Sequence, residues 1–134
     1  MSQEQTYIML KPDAVRRQLM GQIISRIEAK GYQITALKMM TLDQEIVGEH
    51  YAHLLDKPFY PELAAYMTSG PVVGMIVEGP EVVAGMRQMM GPTNALEAPA
   101  GTIRGDYAHS ISENIIHGSD SLENAQIEIN RFFK

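Results

Sequence analysis

Two short apolar runs constrain the fold of this chain more than any other feature of its sequence: residues 6–10 (TYIML) and 72–77 (VVGMIV). Both are too short to be stable helices. Lys11-Pro12 closes the first, and Ser69-Gly70-Pro71 and Gly79-Pro80 bracket the second, so each reads as a buried strand. Whatever this chain builds, it builds around a sheet.

The segments between and after these runs carry helical periodicity. Met20, Ile23, Ile24 and Ile27 follow the i, i+3, i+4, i+7 spacing of one apolar helix face, with Lys30 and Gly31 suited to its C-terminal end. Residues 32–40 read as a strand of imperfect alternation. Asp43 is a plausible N-cap for a helix running to Leu54, and Pro61 opens another running to Thr68. A helix after Gly79-Pro80 shows the stripe Val82, Val83, Met86, Met89 and Met90; these methionines, with Met39 and Met40, read as adaptable core filler. Residues 91–114 lack periodicity and read as a functional loop. Residues 115–117 form a last short strand, and Leu122, Ala125, Ile129 and Phe132 give the face of a last helix. Trimmed of extras the order is βαββαβ. The expected fold class is α+β, ferredoxin-like, with a four-stranded antiparallel sheet and helices packed on one face.

The chain's 134 residues suit a single domain spanning 1–134. It has no cysteine, which excludes disulfide scaffolds and thiolate chemistry. No apolar stretch approaches the ~20 residues that span a bilayer, and the opening residues do not resemble a signal peptide. A cytoplasmic location is expected. The formal charge of −5 and the lack of a basic stripe weigh against a nucleic-acid partner. Neither G-x-x-x-x-G-K-[ST] nor G-x-G-x-x-G occurs, so side chains must grip any nucleotide.

The sharpest chemical feature is the segment 114–121 (NIIHGSDS). His117 ends a strand just before a helix N-terminus, where free N–H groups favour an anion, and Gly118 allows close approach. Glu128 falls two turns into the final helix, from where it can reach back to one imidazole nitrogen. A carboxylate-oriented histidine with its other nitrogen free is an activated nucleophile. The same residues also have a plain structural reading. A strand-end histidine can simply pack, Asp120 with Glu123 resembles a capping box, and Ser119 can cap. Lys11, Arg87 and Arg104 each read alone as solvated surface, yet together they would supply the fixed positive charge that phosphoryl transfer requires. Phe59 could be core or could stack a base. His50, His53 and His109 show no metal-ligand spacing, so no protein-held metal is expected.

Five stretches carry a resemblance to a known family: Lys11-Pro12-Asp13-Ala14-Val15, Pro58-Phe59-Tyr60-Pro61, Ser69-Gly70-Pro71-Val72-Val73, Gly101-Thr102-Ile103-Arg104-Gly105-Asp106, and Asn114 through Ser121. Collinear over residues 5–133, they resemble nucleoside diphosphate kinase. The resemblance implies a ferredoxin-like fold, a homo-oligomer (tetramer or hexamer), and ping-pong phosphoryl transfer from a nucleoside triphosphate such as ATP to a nucleoside diphosphate. It makes His117 the nucleophile, phosphorylated on Nδ1, with Glu128 on Nε2 and Ser119 supporting the carboxylate. Lys11, Tyr51, Arg87, Thr93, Arg104 and Asn114 match positions that hold phosphates and sugar, Lys11 and Asn114 also reaching the 3′-hydroxyl. Phe59 matches the base-stacking aromatic and Ile111 the apolar residue beyond the base. Mg²⁺ would ride on the nucleotide's phosphates and water. Ala95, where the family usually has proline, and Glu113, where many members have arginine, depart from its pattern, as do His53 and Ala14. The alternative function is a ferredoxin-like nucleotide-binding regulator without chemistry.

Overall fold

The run 6–10 is the buried part of β1 (Gln3–Leu10), every side chain from Thr6 onward being buried. In a computed structural model, which describes residues 3–111 and 113–133, β1 lies inside a four-stranded sheet of order β2-β3-β1-β4. β2 spans Gln33–Met40, β3 Val72–Pro80 and β4 Ile116–Gly118. All pairings are antiparallel. β1 meets β3 from Gln3↔Pro80 to Leu10↔Val73 and meets β4 from Ile8↔Gly118 to Leu10↔Ile116. β2 pairs with β3 through a register shift between Ile34 and Ala36. This is the expected topology, and it sets His117 beside Met9.

Among the described residues, seven α-helices connect and cover the strands: α1 (Pro12–Arg16), α2 (Met20–Lys30), α3 (Gln44–His50), α4 (Tyr60–Met67), α5 (Val82–Met90), α6 (Ile103–Tyr107) and α7 (Leu122–Phe133). The expectation of helices on one face is corrected. Ile8, Leu10, Val73, Met75 and Val77 share a core with Ile23 and Ile27 of α2 and with Val82, Met86 and Met90 of α5. Tyr7, Met9 and Val72 share a second core with Val47 of α3, Ala64 and Met67 of α4, and Ile129 and Phe132 of α7. The reason lies in β1 itself. Successive strand residues point to opposite faces, so a strand apolar at both parities needs cover on both sides.

Local signals placed most boundaries. Asp43 accepts from the Ile46 N–H at 2.9 Å and caps α3. Gly31 ends α2 at φ 105°, a conformation that favours glycine. The helix expected to reach Leu54 stops at His50, and residues Ala52–Leu54 form a separate 3₁₀ turn. Three elements were not anticipated: α1, and a 3₁₀ turn and α6 within residues 91–114. There Asn94 caps a 3₁₀ turn (Ala95–Glu97) by accepting from Leu96 N–H at 3.0 Å, and Thr102 caps α6 by accepting from Gly105 N–H at 2.9 Å. These helices run on caps and not on apolar periodicity, which is why periodicity misses them.

Candidate active site

Five parts of the chain converge on one cleft of about 580 Å³ at the end of the sheet where β4 begins. β4 carries His117, α7 carries Glu128, the residue between β1 and α1 is Lys11, α5 carries Arg87 and α6 carries Arg104. Tyr51, Thr93 and Asn114 complete the wall among the residues singled out from sequence.

His117 Nε2 lies 2.9 Å from Glu128 Oε1, and the same oxygen accepts from Ser119 Oγ–H at 2.6 Å. Ser119 is buried behind the carboxylate and is itself fixed to β1, its N–H donating to the Tyr7 carbonyl at 3.1 Å. Burial alone would push the Glu128 carboxyl up. The hydrogen bond and charge of His117, with the Ser119 hydroxyl, outweigh it and hold the group below the ordinary carboxylate value. With Nε2 committed to Glu128, Nδ1 is the imidazole nitrogen left for chemistry.

The cations are held by backbone as well as by side chains. Arg104 is almost fully buried. Its Nη2–H donates to the Ile116 carbonyl at 2.6 Å and its Nη1–H to the Gly91 carbonyl at 2.9 Å. Burial, and then the neighbouring Arg87, lower its pKa to about 10. Lys11 Nζ donates to Asn114 Oδ1 at 2.8 Å, and Asn114 Nδ2 donates to the Thr93 carbonyl at 3.3 Å. Burial lowers the Lys11 pKa to about 8, Arg104 adds to that, and Asp13 opposes it. Arg87 Nη1–H reaches the Gly118 carbonyl at 3.4 Å. Burial raises the Tyr51 phenol, Glu128 adding to the shift, so it remains a neutral hydroxyl.

A strained turn links these parts. Ile115, buried and β-branched, takes φ 75° between Asn114 and Ile116, and the Ile116 N–H donates to the Asn114 carbonyl at 2.8 Å. This is a γ-turn of the rare hand, a conformation that costs free energy and is found where surroundings over-determine it. Here the surroundings are the Lys11 N–H, donating to the Ile115 carbonyl at 2.7 Å, and the Arg104 guanidinium on the next carbonyl.

Phe59 and Ile111 are not part of this wall. They are 52% and 56% exposed, and both stand outside the cleft lining. Sequence reasoning also missed residues that do line it: Glu49, His50, Asp120, Asn124, Ile127 and Arg131. The i+3 spacing of Arg131 from Glu128 was a usable signal; His50 reaches the site only through the tertiary fold. His50 also changes the expectation about metals. Among the described residues, ligand atoms of His50, His117 and Glu128 lie within 4.8 Å of one another. No described helix is long and apolar enough to cross a membrane.

Comparison with known proteins places the whole chain. The sequence model of the family described as nucleoside diphosphate kinase matches residues 4–134. The nucleoside diphosphate kinase of Thermus thermophilus is 55% identical over 131 residues, covering 98% of this chain and 96% of the relative. That of Moorella thermoacetica is 53% identical over 133 residues, covering 99% and 96%. Among solved structures, a halophilic nucleoside diphosphate kinase from Halobacterium salinarum in complex with CDP superposes with a TM-score of 0.96 at 44% identity, covering 99% of this chain and 89% of that one. The apo enzyme from Encephalitozoon cuniculi gives 0.94 at 45% identity, covering 96% and 88%. A ferredoxin-like sheet, a carboxylate-held histidine in a cationic cleft and likeness along the whole chain converge on one conclusion: the chain belongs to the nucleoside diphosphate kinase family.

Proposed function

We propose that this chain passes the γ-phosphoryl group of a nucleoside triphosphate, mainly ATP, to a nucleoside diphosphate by way of a covalent phosphohistidine at His117. The observation that carries the reading is the Ser119–Glu128–His117 chain on the wall of a cationic cleft. In the neutral ring the proton sits on Nε2, donated to Glu128, and the lone pair sits on Nδ1. That lone pair attacks the γ-phosphorus. The bond to the β–γ bridging oxygen breaks, and its electrons leave with the nucleoside diphosphate. In the return half a terminal β-phosphate oxygen of a second diphosphate attacks the phosphorus, and the N–P electrons return to Nδ1. The Nε2 proton stays against Glu128 throughout, and the carboxylate stabilises the positive charge that develops on the ring.

Lys11, Arg87 and Arg104 supply fixed cations for the transferring oxygens, while Tyr51, Thr93 and Asn114 serve the phosphates and sugar, Lys11 and Asn114 also the 3′-hydroxyl. Phe59 stacks the base from its exposed position, with Ile111 beyond the base. Stacking accepts any base because each has a π-face. The donor set also fits Mg²⁺ carried by the nucleotide. Glu128 is already engaged by His117 and Ser119, and the His50–His117–Glu128 group offers more nitrogen than the oxygen ligands this ion takes. When bound, Mg²⁺ neutralises charge on the phosphates; the chain's residues position them. The complete set of site side chains argues against a regulator without chemistry. We further propose one domain over residues 1–134, a cytoplasmic location and a homo-oligomer.

Incubation with γ-labelled ATP, removal of nucleotide and addition of GDP tests the reading. Acid-labile label should remain on the washed protein and then move to GTP, and His117→Ala should retain none. Washed wild-type protein without label would contradict it.

A further inference from the structure

Arg131 lines the cleft, yet the phosphoryl transfer derived above makes no use of it. It lies three residues beyond Glu128 on α7, so the two side chains leave neighbouring positions of one helix face. The ion pairs among the described residues are Arg16–Glu113, Arg26–Asp106 and His117–Glu128, and Arg131 enters none of them. Its Nη1 lies 2.8 Å from His50 Nδ1, while its Nε is buried with no hydrogen-bond partner. A buried donor left unpaired is costly, so the guanidinium is not placed here for its own sake.

A guanidinium only donates. His50 Nδ1 must therefore accept, and the neutral His50 ring must carry its proton on Nε2. The ring is also hemmed in on several sides. It meets His117 edge-on at 4.8 Å and 83°, Tyr51 at 4.6 Å and 71°, and Phe132 at 5.2 Å and 72°. Burial and the neighbouring His117 lower the His50 pKa to about 3, with Arg131 and Lys11 adding to the shift and Glu128 opposing it.

The consequence falls on His117. A single hydrogen bond from Nε2 to Glu128 fixes one point of that ring and leaves it free to swing about the bond. A second ring packed against it removes the swing. We infer that Arg131 is a positioning residue for phosphoryl transfer, fixing His50 against His117 so that Nδ1 stays aimed into the cleft. The inference rests on the phosphohistidine reading. A direct phosphate contact is the competing role for a cleft arginine, and the commitment of Nη1 to His50 with Nε buried disfavours it.

The test combines kinetics with a spectroscopic readout. In Arg131→Leu the rate of phosphoenzyme formation at saturating ATP should fall on the order of 10-fold or more, while ADP affinity stays unchanged. Arg131→Lys, which keeps a donor, should recover part of the rate. In a His50→Phe background, which keeps a ring but loses the acceptor, Arg131→Leu should have no further effect. Imidazole ¹⁵N spectra of wild type should give His50 as the Nε2–H tautomer. Weaker ADP binding with an unchanged saturating rate would make Arg131 a phosphate ligand and overturn the inference. So would an unaltered rate, or an Nδ1–H tautomer in wild type, which needs no variant to fold. Failure of wild type to form any phosphoenzyme would instead overturn the phosphohistidine reading, leaving the tautomer result independent.

Discussion

At the scale of single residues, the site is a set of costly placements that compensate one another. Lys11 illustrates the balance. Burial and Arg104 lower its pKa from 10.5 to about 8, so its charge is lost as pH rises through about 8. Nucleotide phosphates then lose a cation. The dissociation constant for ADP should rise above about pH 8, and Lys11→Gln should bind weakly with no break there; a wild-type affinity flat to pH 10 would contradict this. The stability effect has the opposite sign. Between about 8 and 10.5 the unfolded chain binds more protons at this group than the folded one, so its contribution to stability grows with pH across that window. At this scale the sequence was legible where chemistry and spacing coincide. The spacing of His117 and Glu128 across a strand end and the following helix pointed to a carboxylate-held imidazole, which the structure contains; the Ser119 hydroxyl behind the carboxylate, read from spacing only as a cap, came from the family resemblance. Ile115 was not legible, because nothing in an isoleucine signals a positive φ; the hydrogen bonds from Lys11 and Arg104 that impose it come from distant segments.

At the scale of elements, the segment 91–114 decides how the cations are delivered. Read from periodicity it is a loop, but Thr102 caps α6, and that short helix holds Arg104 in place. Gly105 is the point where the packing is tightest. A Cβ there would stand 1.9 Å from the Pro99 carbonyl oxygen and 2.6 Å from its carbon, which is backbone and cannot step aside. Gly105→Ala should therefore cost about 1–3 kcal/mol in stability, read as a lowered denaturant midpoint. It should also weaken nucleotide binding by displacing Arg104. A variant with wild-type midpoint and affinity would show that α6 moves without consequence. The strands and the amphipathic helices α2, α5 and α7 were readable because an apolar stripe announces each. The short helices were not, since caps and neighbours hold them, and the second covered face of the sheet follows only from reading β1 as apolar at both parities.

At the scale of the whole molecule, an acidic chain holds a basic cleft. The formal charge is −5, yet Lys11, Arg87 and Arg104 face one cavity. Screening confines the acidic far field to about 8 Å at physiological salt, while cations in contact act at full strength. Edge strand β2 leaves Leu37 and Met39 about half exposed on its surface, apolar area that the proposed assembly can cover. Light scattering should give four or six times the 14.9 kDa chain mass, and a monomer at working concentration would contradict the proposed oligomer.

The central claim is that Glu128 reserves one nitrogen of His117 and leaves the other for phosphorus. Phosphorus and nitrogen NMR of the isolated phosphoenzyme, made with ATP and freed of nucleotide, tests it most directly. The account predicts a single phosphohistidine at His117 with phosphorus on Nδ1 and a proton on Nε2. Phosphorus on Nε2, or on any other side chain, would contradict it.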